Sequence, residues 1–254
     1  MIKPKFFSQN GEDYLLWKFF EEKRNGFFVD IGAFDGVHIS NTYALELMGW
    51  KGICVEPNPE IFELCRKNRP SANCLTDVCI GEKKRRKKKF YIDEIGLLST
   101  TIKNKEKLID LRQRYKNRGL PFSGLKKVKL KASTFNEILE NNLQAGEKID
   151  FVSIDTEGNE LDILKGIDFK QYNIRVLVIE SDKLSEKEMA ELLLEKGSYM
   201  FARKTFHNSF FVKDSEDIKR LNSIPINCVI EKQLHPKGLK YTPPDFLKER
   251  IIKE

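Results

Sequence analysis

The chain has 254 residues, is 40% hydrophobic and carries 18 Phe, enough for one substantial α/β core. No apolar run reaches bilayer-spanning length and Met1-Ile2-Lys3-Pro4-Lys5 lacks the apolar segment of a signal peptide, so a soluble, cytoplasmic protein without a membrane span is expected. The net charge of +7 comes wholly from Lys83 to Lys89 (KKRRKKK), because the other 38 basic residues balance 38 acids; one basic loop on a neutral body argues against a general nucleic-acid binder.

The first predicted element is an amphipathic helix, Tyr14 to Phe20, preceded by Ser8-Gln9-Asn10-Gly11-Glu12-Asp13. Ser8 or Asn10 can cap it, and Glu12 and Asp13 favour its first turn. The functional alternative places Gln9, Glu12 or Asp13 at the mouth of a ligand site.

Residues 27–57 organise the chain. An apolar strand, Phe27-Phe28-Val29-Asp30-Ile31, runs into the turn Gly32-Ala33-Phe34-Asp35-Gly36. A helix opened by Ser40-Asn41-Thr42 runs to about Gly49, and a second strand, Gly52 to Val55, ends on Glu56. This is how a Rossmann-type sheet holds a nucleoside. A terminal carboxylate can accept both ribose hydroxyl protons. The nicotinamide pattern G-x-G-x-x-G fails at Phe34 and Val37, and Asp30 and Asp35 would repel a pyrophosphate. Acids there suit a cationic cofactor such as S-adenosylmethionine.

Asn58-Pro59 start a helix over Glu60 to Asn68, and a third strand follows from about Asn73 to Ile80, with Asp77 near its end, placed to meet an adenine amino group. The basic run then precedes Phe90-Tyr91-Ile92, which predicts a hairpin with the polycation (82–89) as its loop. Such a loop can be simply solvated, or can face a phosphate-bearing substrate or an anionic surface. Residues 96–125 hold a charged helix, Leu108 to Tyr115, and a flexible loop, Gly119 to Gly124 with Pro121, together a candidate lid. Lys127 to Lys131 is a strand, and Ser133 or Thr134 caps the helix Phe135 to Asn141.

The second chemical stretch is the strand from Ile149 to Ile154, running into Asp155-Thr156-Glu157-Gly158-Asn159-Glu160 and then a helix to Gly166. The strand Ile174 to Ile179 also ends in acid, Glu180-Ser181-Asp182. Two strands thus aim carboxylates at the sheet's carboxyl edge, where open α/β folds bind ligands. Asp155, Glu180 and Asp182 could hold a divalent cation, for which oxygen ligands suit Mg²⁺. A helix around Met189 to Leu194 precedes two strands, Tyr199 to Phe206 and Ser209 to Val212, joined at His207-Asn208 as an antiparallel edge hairpin. Residues 214–254 read as a short helix and a tail without chemistry. Five cysteines, odd in number and without C-x-x-C spacing, are expected as reduced thiols.

The segments SQNGEDYLL (8–16), FVDIGAFDGVHISNTYALE (28–46), GWKGICVEPNPE (49–60), IDFVSIDTEGNELDILKG (149–166) and VLVIES (176–181) resemble the FkbM family of methyltransferases. The resemblance implies an α/β fold, the class I methyltransferase Rossmann-like sheet of seven mostly parallel strands with one antiparallel, flanked by helices. It divides the chain into an N-terminal helical segment (1–25), a methyltransferase core (26–213) and a C-terminal helix and tail (214–254). It implies S-adenosylmethionine-dependent O-methylation of a hydroxyl on a sugar, glycan or related natural product. Gln9, Asp30, Gly32, Asp35, Gly36 and Asn41 are then expected on the cofactor, with Glu56 on its ribose and Asp77 on its adenine. Asp155 and Glu157 would face the methyl group and the acceptor, with His207 as a further base. The rival readings are a nicotinamide enzyme, and a non-catalytic binding protein whose basic loop meets an anionic partner.

Overall fold

The computed structural model describes residues 4–82, 86–102, 104–117, 119, 122–144, 146–181, 183–231, 235 and 236. In chain order the elements are α1 (Glu12–Phe19), β1 (Phe27–Ile31), α2 (Tyr43–Leu47), β2 (Lys51–Val55), α3 (Pro59–Asn68), β3 (Ala72–Leu75) and β4 (Val78–Ile80). There follow β5 (Lys87–Ile92), α4 (Lys105–Asn117), β6 (Lys126–Thr134), α5 (Phe135–Asn142), β7 (Phe151–Ile154) and α6 (Glu160–Gly166). The last are β8 (Val176–Glu180), α7 (Lys183–Gly197), β9 (Met200–Thr205), β10 (Asn208–Val212) and α8 (Ser215–Ser223).

Seven strands form one sheet in the order β3-β2-β1-β7-β8-β10-β9. Strands β1, β2, β3, β7 and β8 are mutually parallel, and β10 runs antiparallel to both β8 and β9. β1 lies in the middle, with Asp30 level with Cys54 on one side and Ser153 on the other. Every residue of β1 is buried because helices cover both faces of the sheet. Phe27, Val29 and Ile31 pack with residues of α5, α6 and α7, such as Ile138, Leu164 and Leu193. Phe28 points the other way, into a second core with Leu16 of α1, Leu45 of α2 and Leu221 of α8. The expected seven-stranded, mostly parallel sheet with one reversed strand is therefore the observed one.

Two expectations need correction. The single strand expected over 73–80 is two, because β3 pairs with β2 in the large sheet while β4 pairs with β6 in a separate three-stranded sheet, β4-β6-β5. The basic run is not merely a hairpin loop: Lys87 to Lys89 are part of β5, whose partner is β6 and not the preceding strand. Alternation explains this. Phe90 and Ile92 face a small core with Val78, Ile80, Val128 and Leu130, so burying them brings the adjoining lysines into the strand. Lys83, Lys84, Arg85 and Pro121 lie outside the described residues.

Between β5 and β6 the insertion has its own core: Ile95, Leu98, Leu111 and Tyr115, with Phe122 against them. Asp93 staples it, accepting hydrogen bonds from the hydroxyls of Ser99 (2.8 Å) and Tyr115 (2.7 Å). Among the described residues no helix is long and apolar enough to cross a membrane.

Candidate active site

A cavity of about 790 Å³ opens at the carboxyl ends of β1, β2, β7 and β8, within the range usual for ligand pockets. Its floor is the turn after β1. Gly32 has φ +93°, and a Cβ there would stand 1.7 Å from the carbonyl oxygen of Asp155, so only glycine lets the β1 and β7 ends lie this close.

Glu56 follows β2 and lines the cavity. Its carboxylate accepts from the backbone N–H of Phe34 (3.0 Å) and of Asn58 (2.7 Å). Burial nevertheless pushes its pKa up to about 8, against those two hydrogen bonds, with Asp30 and Asp35 adding repulsion. Asp77 also lines the cavity, held by Lys131 Nζ and Ser133 Oγ, each at 2.9 Å. Asp30 accepts from Thr42 Oγ1 at 2.6 Å; burial raises its pKa while the Arg69 guanidinium opposes the rise. Asn41 Nδ2 donates to Ser153 Oγ (3.1 Å), tying the loop after β1 to β7. Gln9 completes this end of the lining.

Asp35 and Gly36 are not in the cavity wall. Asp35 turns back to accept from the N–H groups of Val37 (3.0 Å) and His38 (2.7 Å), fixing the turn. A Cβ on Gly36 would stand 2.5 Å from Arg69 Cγ, so this glycine makes room for Arg69. That arginine is 1% exposed, although nothing in its local sequence marks it as a core residue. It donates to Glu46, to Thr42 Oγ1 (2.9 Å) and to the Gly36 carbonyl (3.0 Å), locking the loop from behind.

The other end of the cavity carries three carboxylates, Asp155, Glu157 and Glu180, with oxygens within 4.8 Å of one another. Burial pushes Asp155 up to about 7, and repulsion from Glu157 and Glu160 adds to it. Glu180 is raised well above the usual carboxylate range by burial and by Asp155 beside it. Asp182 lies outside the described residues, and Glu157 takes its place in the cluster. Glu157 is also claimed by the insertion: Arg114 Nη1 donates to it at 3.0 Å and Lys107 Nζ at 3.2 Å. Glu160 points to its own loop, accepting from the Thr156 and Gly158 N–H groups. Glu12 and Asp13 are structural as well. Glu12 ties α1 to the β9–β10 hairpin through Thr205 and Asn208, and Asp13 accepts from the Phe7 and Ser8 N–H groups.

His207, in the β9–β10 turn, lines the cavity, and so do His38 and His235, the only other histidines of the chain. His38 and His235 pack edge to face with ring centroids 5.3 Å apart. Burial lowers the His38 pKa to about 4, so the ring is neutral at pH 7. His235 corrects the reading of 214–254 as lacking any part in the site. The insertion contributes Leu97, Leu98, Ser99, Thr101, Arg114 and Asn117 to the wall, covering the carboxylate end.

Six carboxylates thus face one cavity with a single lining guanidinium, Arg114, among the described residues. A close-approach glycine, an acid ending the second strand and this sheet order together define the class I methyltransferase fold. The sequence model of the Methyltransferase FkbM domain matches residues 30–204, and the chain belongs to that family. No curated protein matches the chain. Among solved structures it is similar to the precorrin-6Y C5,15-methyltransferase of Geobacter metallireducens (13% identity, 79% of this chain and 85% of that one, TM-score 0.41). It is also similar to the ribosomal protein L11 methylase of Lactobacillus delbrueckii (10%, 78% and 74%, TM-score 0.37). A third is an S-adenosylmethionine-dependent methyltransferase of Agrobacterium tumefaciens (11%, 80% and 61%, TM-score 0.38). Values this low say nothing of the acceptor.

Proposed function

We propose that the protein methylates a hydroxyl group on a sugar, glycan or related natural product. The observation that carries this reading is Asp155, a carboxyl group raised to about 7 at the end of β7, in the same cavity as Glu56 and Asp77. The cavity fits the cofactor's chemistry: carboxylates would meet its cationic groups, Glu56 would hold its ribose and Asp77 its adenine. Gln9, Asp30, Gly32 and Asn41, which also line the cavity, would hold the remainder. Bound S-adenosylmethionine supplies the electrophilic methyl group and a neutral thioether as leaving group.

The chain's own task is to orient the acceptor and take its proton. An alcohol is far too weak an acid to ionise alone at neutral pH, so a base must accept the proton as the O–C bond forms. Asp155 is that base. Near pH 7 it is available in its ionised form, and its raised pKa makes it a stronger acceptor than an ordinary aspartate. Glu157 is already engaged by Arg114 and Lys107, so its role is to hold the insertion over the acceptor. His207, which also lines the cavity, is a second candidate proton acceptor.

Oxygen ligands at Asp155, Glu157 and Glu180 would suit Mg²⁺ by type. The two cations already on Glu157 compete for that place, so the residues fit a proton relay better than a metal, and no step is assigned to one. The test is transfer of labelled methyl groups to a panel of free, nucleotide-linked and lipid-linked sugars. Activity that survives a chelator and is lost in Asp155→Asn supports the reading. No transfer to any hydroxyl acceptor, or an active Asp155→Asn protein, would sink it.

A further inference from the structure

The small sheet carries a surface that methyl transfer does not use. Register sets Lys87 opposite Lys131, Lys89 opposite Lys129 and Tyr91 opposite Lys127. Side chains alternate along a strand, so these five lysines share one face, while Phe90, Val128 and Leu130 fill the core behind. All five are exposed. Like charges directly opposite one another destabilise a strand pair. Among the described residues no acid offsets the charge on Lys87, Lys89, Lys127 or Lys129; only Lys131 has an acid partner, Asp77. Arg86 adjoins the row and is exposed, with Lys83, Lys84 and Arg85 just before it in sequence. Apart from Lys83 to Lys89 the chain has as many acids as bases, so its net charge is concentrated here.

We propose that this lysine grid docks the protein onto an anionic phospholipid surface. The grid is regular: neighbours along a strand are about 6.8 Å apart and the two rows about 5 Å apart. A regular, exposed array of hydrated ammonium groups is complementary in charge to a layer of anionic headgroups, where each lysine contributes attraction of its own. A single-stranded nucleic acid would call for a groove with aromatic platforms. This face offers one ring, Tyr91, on an open sheet. Through Lys131 and Asp77 the docked face adjoins the adenine end of the cavity.

The test is co-sedimentation of the full chain with vesicles of equal parts phosphatidylserine and phosphatidylcholine, beside vesicles of phosphatidylcholine alone. Binding is expected only to the anionic vesicles, and it should vanish near 1 M salt, where the Debye length is about 3 Å. Each lysine removed should weaken it about fivefold, so Lys89→Gln/Lys129→Gln loses about thirtyfold and the quadruple variant with Lys87→Gln and Lys127→Gln several hundredfold. Both variants should keep S-adenosylhomocysteine binding and melt no lower than wild type, since a repulsion is relieved. Wild type that ignores anionic vesicles, variants that bind them unchanged, or tighter binding to polyuridylate than to vesicles would overturn the proposal.

Discussion

Both oxygens of the Glu157 carboxylate accept hydrogen bonds from Arg114 Nη1, at 3.1 and 3.0 Å. This joins α4, inside the insertion, to the loop after β7, and Lys107 adds a second cation about two turns away on the same helix. Arg114→Ala should therefore loosen the insertion and not the large sheet. The expected result is a fall in kcat/KM for the acceptor of about 10- to 100-fold, with cofactor-analogue binding kept. Limited proteolysis within 93–125 should become faster, since local opening there costs less.

Asp155→Asn should lower kcat by about 10²- to 10⁴-fold, the usual worth of a general base, and leave the fold and S-adenosylhomocysteine binding intact. In the wild type the rate should rise with pH through about 7 and then level, as Asp155 loses its proton. A pH–rate profile with no inflection in that region would remove Asp155 from the role of base.

Glu56 makes a prediction about stability. Its folded pKa, about 8, lies above the ordinary glutamate value near 4.5. Between those values the folded chain holds a proton that the unfolded chain has released. Its contribution to stability is therefore full below about pH 4.5 and is lost as pH rises toward 8. Glu56→Gln should flatten that slope in a series of melting curves. Above about pH 8, where Glu56 is ionised, the same substitution should weaken S-adenosylhomocysteine binding about 10- to 100-fold by calorimetry, since ribose would lose a charged acceptor. For the wild type, affinity should improve with pH up to about 8.

Arg69→Met should destabilise the fold by about 3–5 kcal/mol, because Glu46 and Asp30 would stay buried without their cation. Urea denaturation measures the loss. Adding Glu46→Leu should recover part of it, which distinguishes an uncompensated charge from a simple packing defect.

The large sheet and the acids it brings to the cavity are legible in the sequence for a physical reason. Strands buried on both faces read as unbroken apolar runs, such as Phe27 to Ile31, and the acids at their carboxyl ends, Glu56, Asp155 and Glu180, follow directly in the chain. What was not legible depends on pairing across distance. Nothing local tells Lys87 to Ile92 that its partner is 126–131 beyond an intervening helix, so β5 was read as part of a loop and hairpin. Arg69 sits at the end of a surface helix, and only its partners at Gly36, Thr42 and Glu46 make it a core residue. His235 falls in a polar segment with no periodic pattern. His38 was the one missed cavity residue with a usable signal, since it stands three residues after Asp35 in the glycine turn.

His235 also imposes an order in time. It packs on Phe34, ring centroids 5.3 Å apart, and its segment is held by Ile230 bridging to Phe6. Phe34 and His235 are separated by about 200 residues, or some 10–40 s of synthesis at about 5–20 residues per second. On the ribosome the glycine turn and Glu56 are therefore made long before the wall that closes over them. A nascent chain can assemble the sheet first, but the wall of the cavity is complete only after His235 has emerged.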